Sequence, residues 1–215
     1  MAEFEVHIEL EGRSRPVGLV RSNRVLGTEM HLFEYLKAWL DDPHRFSLEP
    51  ALVLTRGTFA PPAGLVTFGA IGDSAPDTWG RRLMQHAERR RASLESRTVR
   101  TLSEGDYLLG VADETRLGAL RFRRAVEADF QATATGGVPS LIELGRLLQT
   151  TERILRDEET DDDLRLIFAP GSSLGGARPK ASVIDGQGNL SIAKFPRETD
   201  EYSARGALVE TCFIR

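Results

Sequence analysis

Gly171-Ser172-Ser173-Leu174-Gly175-Gly176-Ala177-Arg178-Pro179-Lys180 leads directly into Ala181-Ser182-Val183-Ile184. Asp185-Gly186-Gln187-Gly188-Asn189 follows, then Leu190-Ser191-Ile192-Ala193-Lys194-Phe195-Pro196. The order is a glycine- and serine-rich loop, a short apolar strand, a turn built of Asp, Gly and Asn, and a return strand closed by proline. That order predicts a β-hairpin with a pliant loop at its entry. Glycine lets backbone N–H groups approach an anion closely because no Cβ intervenes, and serine adds a hydroxyl donor. On the return strand Ile192 and Lys194 share one face, while Ala193 and Phe195 share the other. With the Ile192 face turned to a cleft, Lys194 arrives beneath the loop.

A lysine on a sheet beside a glycine-rich loop is the arrangement protein kinases use to grip phosphates. The loop is not a Walker A sequence: Gly171 and Gly176 have the right separation, but Ala177-Arg178 stands where Lys-Ser/Thr is required. Nor is it G-x-G-x-x-G. Read from these residues alone, the segment is either a phosphate loop or a surface turn. The lysines add weight to the first reading. Of 28 cationic residues 25 are arginine, and two of the three lysines (Lys37, Lys180, Lys194) fall within this unit. Beyond Pro196, Thr199-Asp200-Glu201 predicts the start of a helix with Tyr202, Gly206, Val209 and Phe213 on one stripe and Glu210 at its border. A helix glutamate paired with the strand lysine would complete the kinase device. The alternative for Glu210 is a solvated carboxylate.

Toward the N-terminus, Leu164 to Phe168 is a strand candidate, the acidic stretch 152–163 ends the helix before it, and its 157–163 run is expected to be a solvated loop. Ser140-x-x-Glu143 has the form of a capping box opening a helix with Leu144, Leu148, Thr151 and Leu155 on one stripe. Residues 126–139 form an Ala/Thr/Gly connector and mark the expected domain boundary. Before it, residues 3–10 alternate as a half-buried strand, and Pro16 to Val20 returns as its hairpin partner. Residues 30–40 show helical spacing, ended by Asp41-Asp42-Pro43. Ala51–Leu54, Leu65–Phe68 and Leu117–Arg123 are further strand candidates. Asp77 is an N-cap for an arginine-rich helix reaching about Arg97, and Ser103-x-x-Asp106 is a capping box. Strands and helices mix without βαβ regularity, so the fold class is α+β.

With 40% hydrophobic and 28% charged residues the composition is that of an ordinary soluble domain. No apolar run suits a membrane span, no leader peptide is evident, and the single Cys212 excludes a disulfide framework. A cytoplasmic setting is expected. A net charge of −4 excludes a uniformly basic nucleic-acid binder but not a local patch. Arg81, Arg82, Arg89, Arg90, Arg91, Arg97 and Arg100 are either a phosphate- or acid-contacting stripe or a solvated face. His7, His31, His44 and His86 lack metal-ligand spacing, and Trp79 is expected in the core.

Four stretches, in order, resemble the HipA family, the serine/threonine-kinase toxins of bacterial toxin–antitoxin modules. They are Asp73-Ser74-Ala75-Pro76-Asp77-Thr78-Trp79-Gly80-Arg81, then Tyr107-Leu108-Leu109-Gly110-Val111 with Gly118-Ala119-Leu120-Arg121-Phe122. The third is the 171–180 loop, and the last is Ile192-Ala193-Lys194-Phe195-Pro196 with Asp200-Glu201-Tyr202-Ser203. The resemblance implies a β-rich N-terminal subdomain at 1–125, the connector 126–139, and at 140–215 the start of a protein-kinase-like, lipid-kinase-related N-lobe. It implies that Leu174, Gly175, Gly176, Ala177, Arg178, Pro179 and Lys180 cover ATP phosphates and that Lys194 is the ATP-binding lysine. Glu210 would be its ion-pair partner. Ser173, with Ser172 adjacent, falls at the family's autophosphorylated serine. A phosphate there would compete with ATP and eject the loop. The implied partners are a HipB-like helix-turn-helix antitoxin, DNA through that complex, and a protein substrate. The implied cofactors are ATP and Mg. Members of the family are longer, and their catalytic base and magnesium ligands are expected C-terminal of this stretch, so no catalytic residue is assigned here. The rival expectation is a non-catalytic antitoxin- or DNA-binding regulatory module.

Overall fold

A computed structural model describes residues 2–25, 27–116, 118–124, 130, 143–172, 176–196 and 208–211. The fold is mixed α+β and divides into two compact units. The first comprises 1–75, 103–109 and 117–132; the second comprises 76–102, 110–116 and 133–215. This division differs from a cut at a single connector. The helix after Asp77 groups with the C-terminal segments, because Trp79 and Leu83 join their core.

The first unit is built on an antiparallel sheet in the order β4-β3-β2-β1-β5, with β1 Ala2–Leu10, β2 Arg13–Val25, β3 Thr28–Tyr35, β4 Thr58–Phe59 and β5 Leu120–Arg124. Phe4, Val6 and Ile8 of β1 bury one face among Val20, Phe33 and Phe122, as their alternation predicts. The register slips between Val6 and His7, where Pro16 faces His7. Proline has no N–H to give a ladder, so it is tolerated at such an irregularity. Gly18 is required by space: a Cβ there would lie 2.3 Å from the Phe33 ring.

The helix expected over residues 30–40 is mostly strand. Thr28–Tyr35 pairs along β2, and only Lys37–Asp41 (α1) is helical. His31, Phe33 and Tyr35 are buried alternately, a period of two, while Leu32 between them is only partly buried; of the residues at helical spacing, Trp39 and Leu40 alone lie in α1. Ala51–Leu54 and Leu65–Phe68 are loops that bury Leu52 and Phe68, not strands. A short α2 covers Gly69–Gly72, and α4 covers Glu104–Gly110. The Ser103/Asp106 capping box closes reciprocally: Ser103 N and Oγ donate to Asp106, and Asp106 N donates to Ser103 Oγ.

In the second unit α3 (Thr78–Leu94), α5 (Leu144–Leu155) and α6 (Asp161–Ser172) accompany a sheet of order β6-β7-β8, with β6 Lys180–Ile184, β7 Leu190–Lys194 and β8 Leu208–Thr211. Trp79, Leu83, Leu147, Ile154, Ile167, Ala181, Val183, Ala193 and Phe195 form its core. Asp77 caps α3 as expected, accepting from Trp79 N. Two expectations are corrected. Leu164–Phe168 lies in α6, not in a strand, and Leu164 and Ile167, three apart, face inward. Residues 208–211 are strand, not helix, because they pair antiparallel with the edge of β7 and occupy its open backbone groups. Ser140 and the expected helix start at 199–201 lie outside the described residues. No helix among the described residues is long and apolar enough to cross a membrane.

Candidate functional site

The hairpin of β6 and β7 presents two faces of opposite character. Ala181, Val183, Ala193 and Phe195 point into the core. Lys180, Ser182, Ile192 and Lys194 therefore share the opposite face. The register sets Lys180 directly opposite Lys194 and Ser182 opposite Ile192. Two lysines at facing positions repel unless anionic groups accompany them. The turn fixes this register. Asp185 N donates to Asn189 O at 2.9 Å, Gln187 N and Asn189 N each donate to Asp185 Oδ1 at 2.8 Å, and Gly188 takes φ +86°. Backbone N–H donation from Asn189 holds the Asp185 carboxyl below its ordinary range. Phe195 N donates to Pro179 O at 2.9 Å, which extends the ladder one step past the lysine pair.

The start of α3 docks on this hairpin. The buried Trp79 indole donates from Nε1 to Lys180 O at 2.9 Å. Gly176, at φ +93°, leaves room for the Lys180 ammonium: a Cβ there would sit 2.6 Å from Lys180 Nζ and 3.7 Å from Asp77 Oδ2. Burial raises the Asp77 carboxyl pKa above its ordinary value, and the Lys180 charge opposes that shift. The two most distinctive strings in the sequence, around Asp77-Thr78-Trp79 and around Gly176 to Lys180, are thus one physical assembly. Sequence reasoning placed them in separate parts of the chain.

Among the expected phosphate-loop residues, Gly176, Ala177 and Arg178 are exposed, and Pro179 and Lys180 are buried. Gly171 and Ser172, expected in the loop, form the last turn of α6. Ser173, Leu174 and Gly175 lie outside the described residues. Lys194 is half-buried at the end of β7. Glu210 belongs to β8, paired with Ile192 one position away from the Lys194–Leu208 pair, so its expected place on a helix is corrected. Ser182 is fully buried, and its Oγ has no hydrogen-bond partner among the described residues. An orphaned hydroxyl on the lysine face fits a polar ligand, as do two ammonium groups and a loop glycine in the left-handed region. Among the described residues, no group of three His, Cys, Asp or Glu side chains is arranged to hold a metal ion.

The arginine-rich helix, read as either a phosphate- or acid-contacting stripe or a solvated face, meets the acidic segment, which was expected to be a solvated loop. Arg90 forms an ion pair with Asp161, with Nη2 donating to Oδ2 at 3.0 Å. Arg82 donates to Ile154 O at 3.2 Å and Leu155 O at 3.1 Å. The buried His86 lies 2.5 Å from Glu159 Oε1. Arg97 donates to both oxygens of the buried Glu88, at 2.6 and 3.2 Å. Hydrogen bonds from Arg97 hold the Glu88 carboxyl down at about 2, against the opposing effect of burial. Comparison with protein-family models gives no match, and no curated protein matches significantly.

Proposed function

We propose that the second unit contains the nucleotide-phosphate-gripping part of a HipA-like serine/threonine protein kinase. In the complete enzyme this device would hold ATP for transfer of its γ-phosphate to a protein serine. The observation that carries the reading is the facing pair Lys180 and Lys194 on the non-core side of a hairpin whose entry carries Gly176. In a chain with 25 arginines and three lysines, two lysines at one register position supply compact point charges suited to phosphate oxygens. Asp77 and Trp79 position Lys180, one through the charge of its ammonium and one through its backbone carbonyl.

ATP brings the transferable phosphoryl group. This chain's part is to bind and orient the phosphates through Lys194, Lys180 and the backbone of residues 174–180. Autophosphorylation at Ser173, the Lys194–Glu210 pair, magnesium, and an antitoxin partner with its DNA belong to the same proposal. A purely DNA-binding module draws less support, because Arg90 and Arg97 are committed to Asp161 and Glu88.

Nucleotide binding by the purified chain tests the reading. ATP is expected to bind, with affinity falling at least about tenfold in Lys194→Ala, about 1.4 kcal/mol. Gly176→Ala is expected to weaken binding as well, since the new methyl displaces the Lys180 ammonium. Binding indifferent to both substitutions rejects the proposal.

A further inference from the structure

Thr78, Arg82, Gln85 and Arg89 are spaced four, three and four apart along α3, and Arg81 and His86 stand beside them, so the six share one side of the helix. Asp157 rises beside this side, and together the residues line a shallow depression of about 520 Å³. That volume is in the range of small-ligand sites. Its lining carries three guanidinium groups, Arg81, Arg82 and Arg89, against one carboxylate, Asp157, and the buried His86 lies against Glu159. The lining thus has an excess of two positive charges.

Two of the arginines are oriented by carbonyl groups. Arg82 Nη2 is fixed by Ile154 O and Leu155 O at the C-terminal end of α5, and Arg81 Nε donates to Pro76 O at 2.9 Å. Backbone carbonyls aim a guanidinium without cancelling its full charge. The acid in the depression is held loosely. Asp157 Oδ1 is 3.4 Å from His86 Nε2 and 3.6 Å from Arg89 Nη1, and the Arg89 and Asp157 side chains are both more than half exposed. Asp157 also has φ +58°, a conformation that glycine adopts more readily. It closes α5 with Asp157 N donating to Ile154 O and Glu158 N to Arg153 O. A carboxylate in a position suited to glycine, resting 3.4 Å from the His86 ring and 3.6 Å from Arg89, is a displaceable occupant.

We propose that this depression binds a phosphate group as its dianion, with Arg82 and Arg89 as its principal donors and Asp157 as the group it displaces. Two charges on the ligand match the excess on the lining. The planar guanidinium fork suits tetrahedral oxyanions. The ligand is either free phosphate or a phosphorylated side chain. The site uses neither Lys180 nor Lys194.

Calorimetric titration of the full chain at constant ionic strength tests this, with inorganic phosphate and a phosphoserine hexapeptide as probes. Saturable binding is expected, weakened at least fivefold by Arg89→Gln and strengthened severalfold by Asp157→Gly. Arg89 is exposed, and glycine suits the backbone at 157, so both variants keep the fold. Binding of inorganic phosphate with these sensitivities supports the site with a free oxyanion as ligand. Binding of the peptide alone, with the same sensitivities, supports it with a phosphorylated protein as ligand. Absence of binding by either probe, or binding unchanged in Arg89→Gln, overturns the proposal. Binding abolished by Lys194→Ala yet indifferent to Arg89→Gln assigns the anion to the hairpin, which overturns this site and leaves the nucleotide reading standing.

Discussion

Glu88 illustrates how much a single side chain in α3 carries. Its carboxylate is buried, accepts two hydrogen bonds from Arg97, and accepts Arg100 N at 3.2 Å. A carboxyl whose pKa falls on folding favours the native state wherever the unfolded chain binds more protons. Glu88 therefore contributes its full stabilisation above about pH 4.5 and loses it as pH falls toward about 2. Glu88→Gln is expected to destabilise the protein by about 1–3 kcal/mol at neutral pH, because the partly buried Arg97 loses its counter-charge. Between pH 4.5 and 2 the melting temperature of the wild type is expected to fall more steeply than that of the variant. Parallel slopes by calorimetry would show that Glu88 titrates normally. The sequence showed Glu88 only as one acid on a basic helix. Its partner nine positions on emerges because the chain turns back after Leu94.

Helix α6 shows which elements the sequence made legible. The Ser103-x-x-Asp106 pattern was readable and forms its reciprocal bonds. The same pattern stands at Thr160-x-x-Asp163, where Thr160 N and Oγ donate to Asp163 Oδ2 at 2.9 and 2.8 Å and Asp163 N donates back. It was hidden by the acidic run around it and by an apolar Leu-Arg-Leu-Ile-Phe stretch too short to separate helix from strand. The hairpin was legible because its turn chemistry is local. Strand β8 was not, since only pairing with distant β7 selects strand over helix there. Thr160→Ala is expected to cost about 1 kcal/mol, since the cap is lost while Asp163 keeps its pair with Arg153. Thr160→Ser is expected to restore most of it. Urea denaturation of the three proteins checks this, and equal midpoints would show that the capping bonds contribute nothing.

At the scale of the molecule, the second unit cannot be read as a run of consecutive residues. Its core takes Trp79 and Leu83 from α3 and the rest from residues beyond 143, and the Trp79 indole satisfies the carbonyl at the lysine pair. Glu159 and Asp161 find their partners His86 and Arg90 on the same helix. A fragment starting at residue 133 loses all of these together, leaving the apolar faces of the hairpin and of α5 and α6 uncovered and Glu159 and Asp161 without His86 and Arg90. A fragment of residues 76–215 keeps them. The first fragment is therefore expected to be unfolded or aggregated, and the second to show dispersed amide resonances with the Lys180–Lys194 cross-strand contact intact. A well-dispersed spectrum from residues 133–215 alone would mean that α3 is an accessory rather than a wall of the core, and the positioning of Lys180 by Asp77 and Trp79 would lose its structural basis.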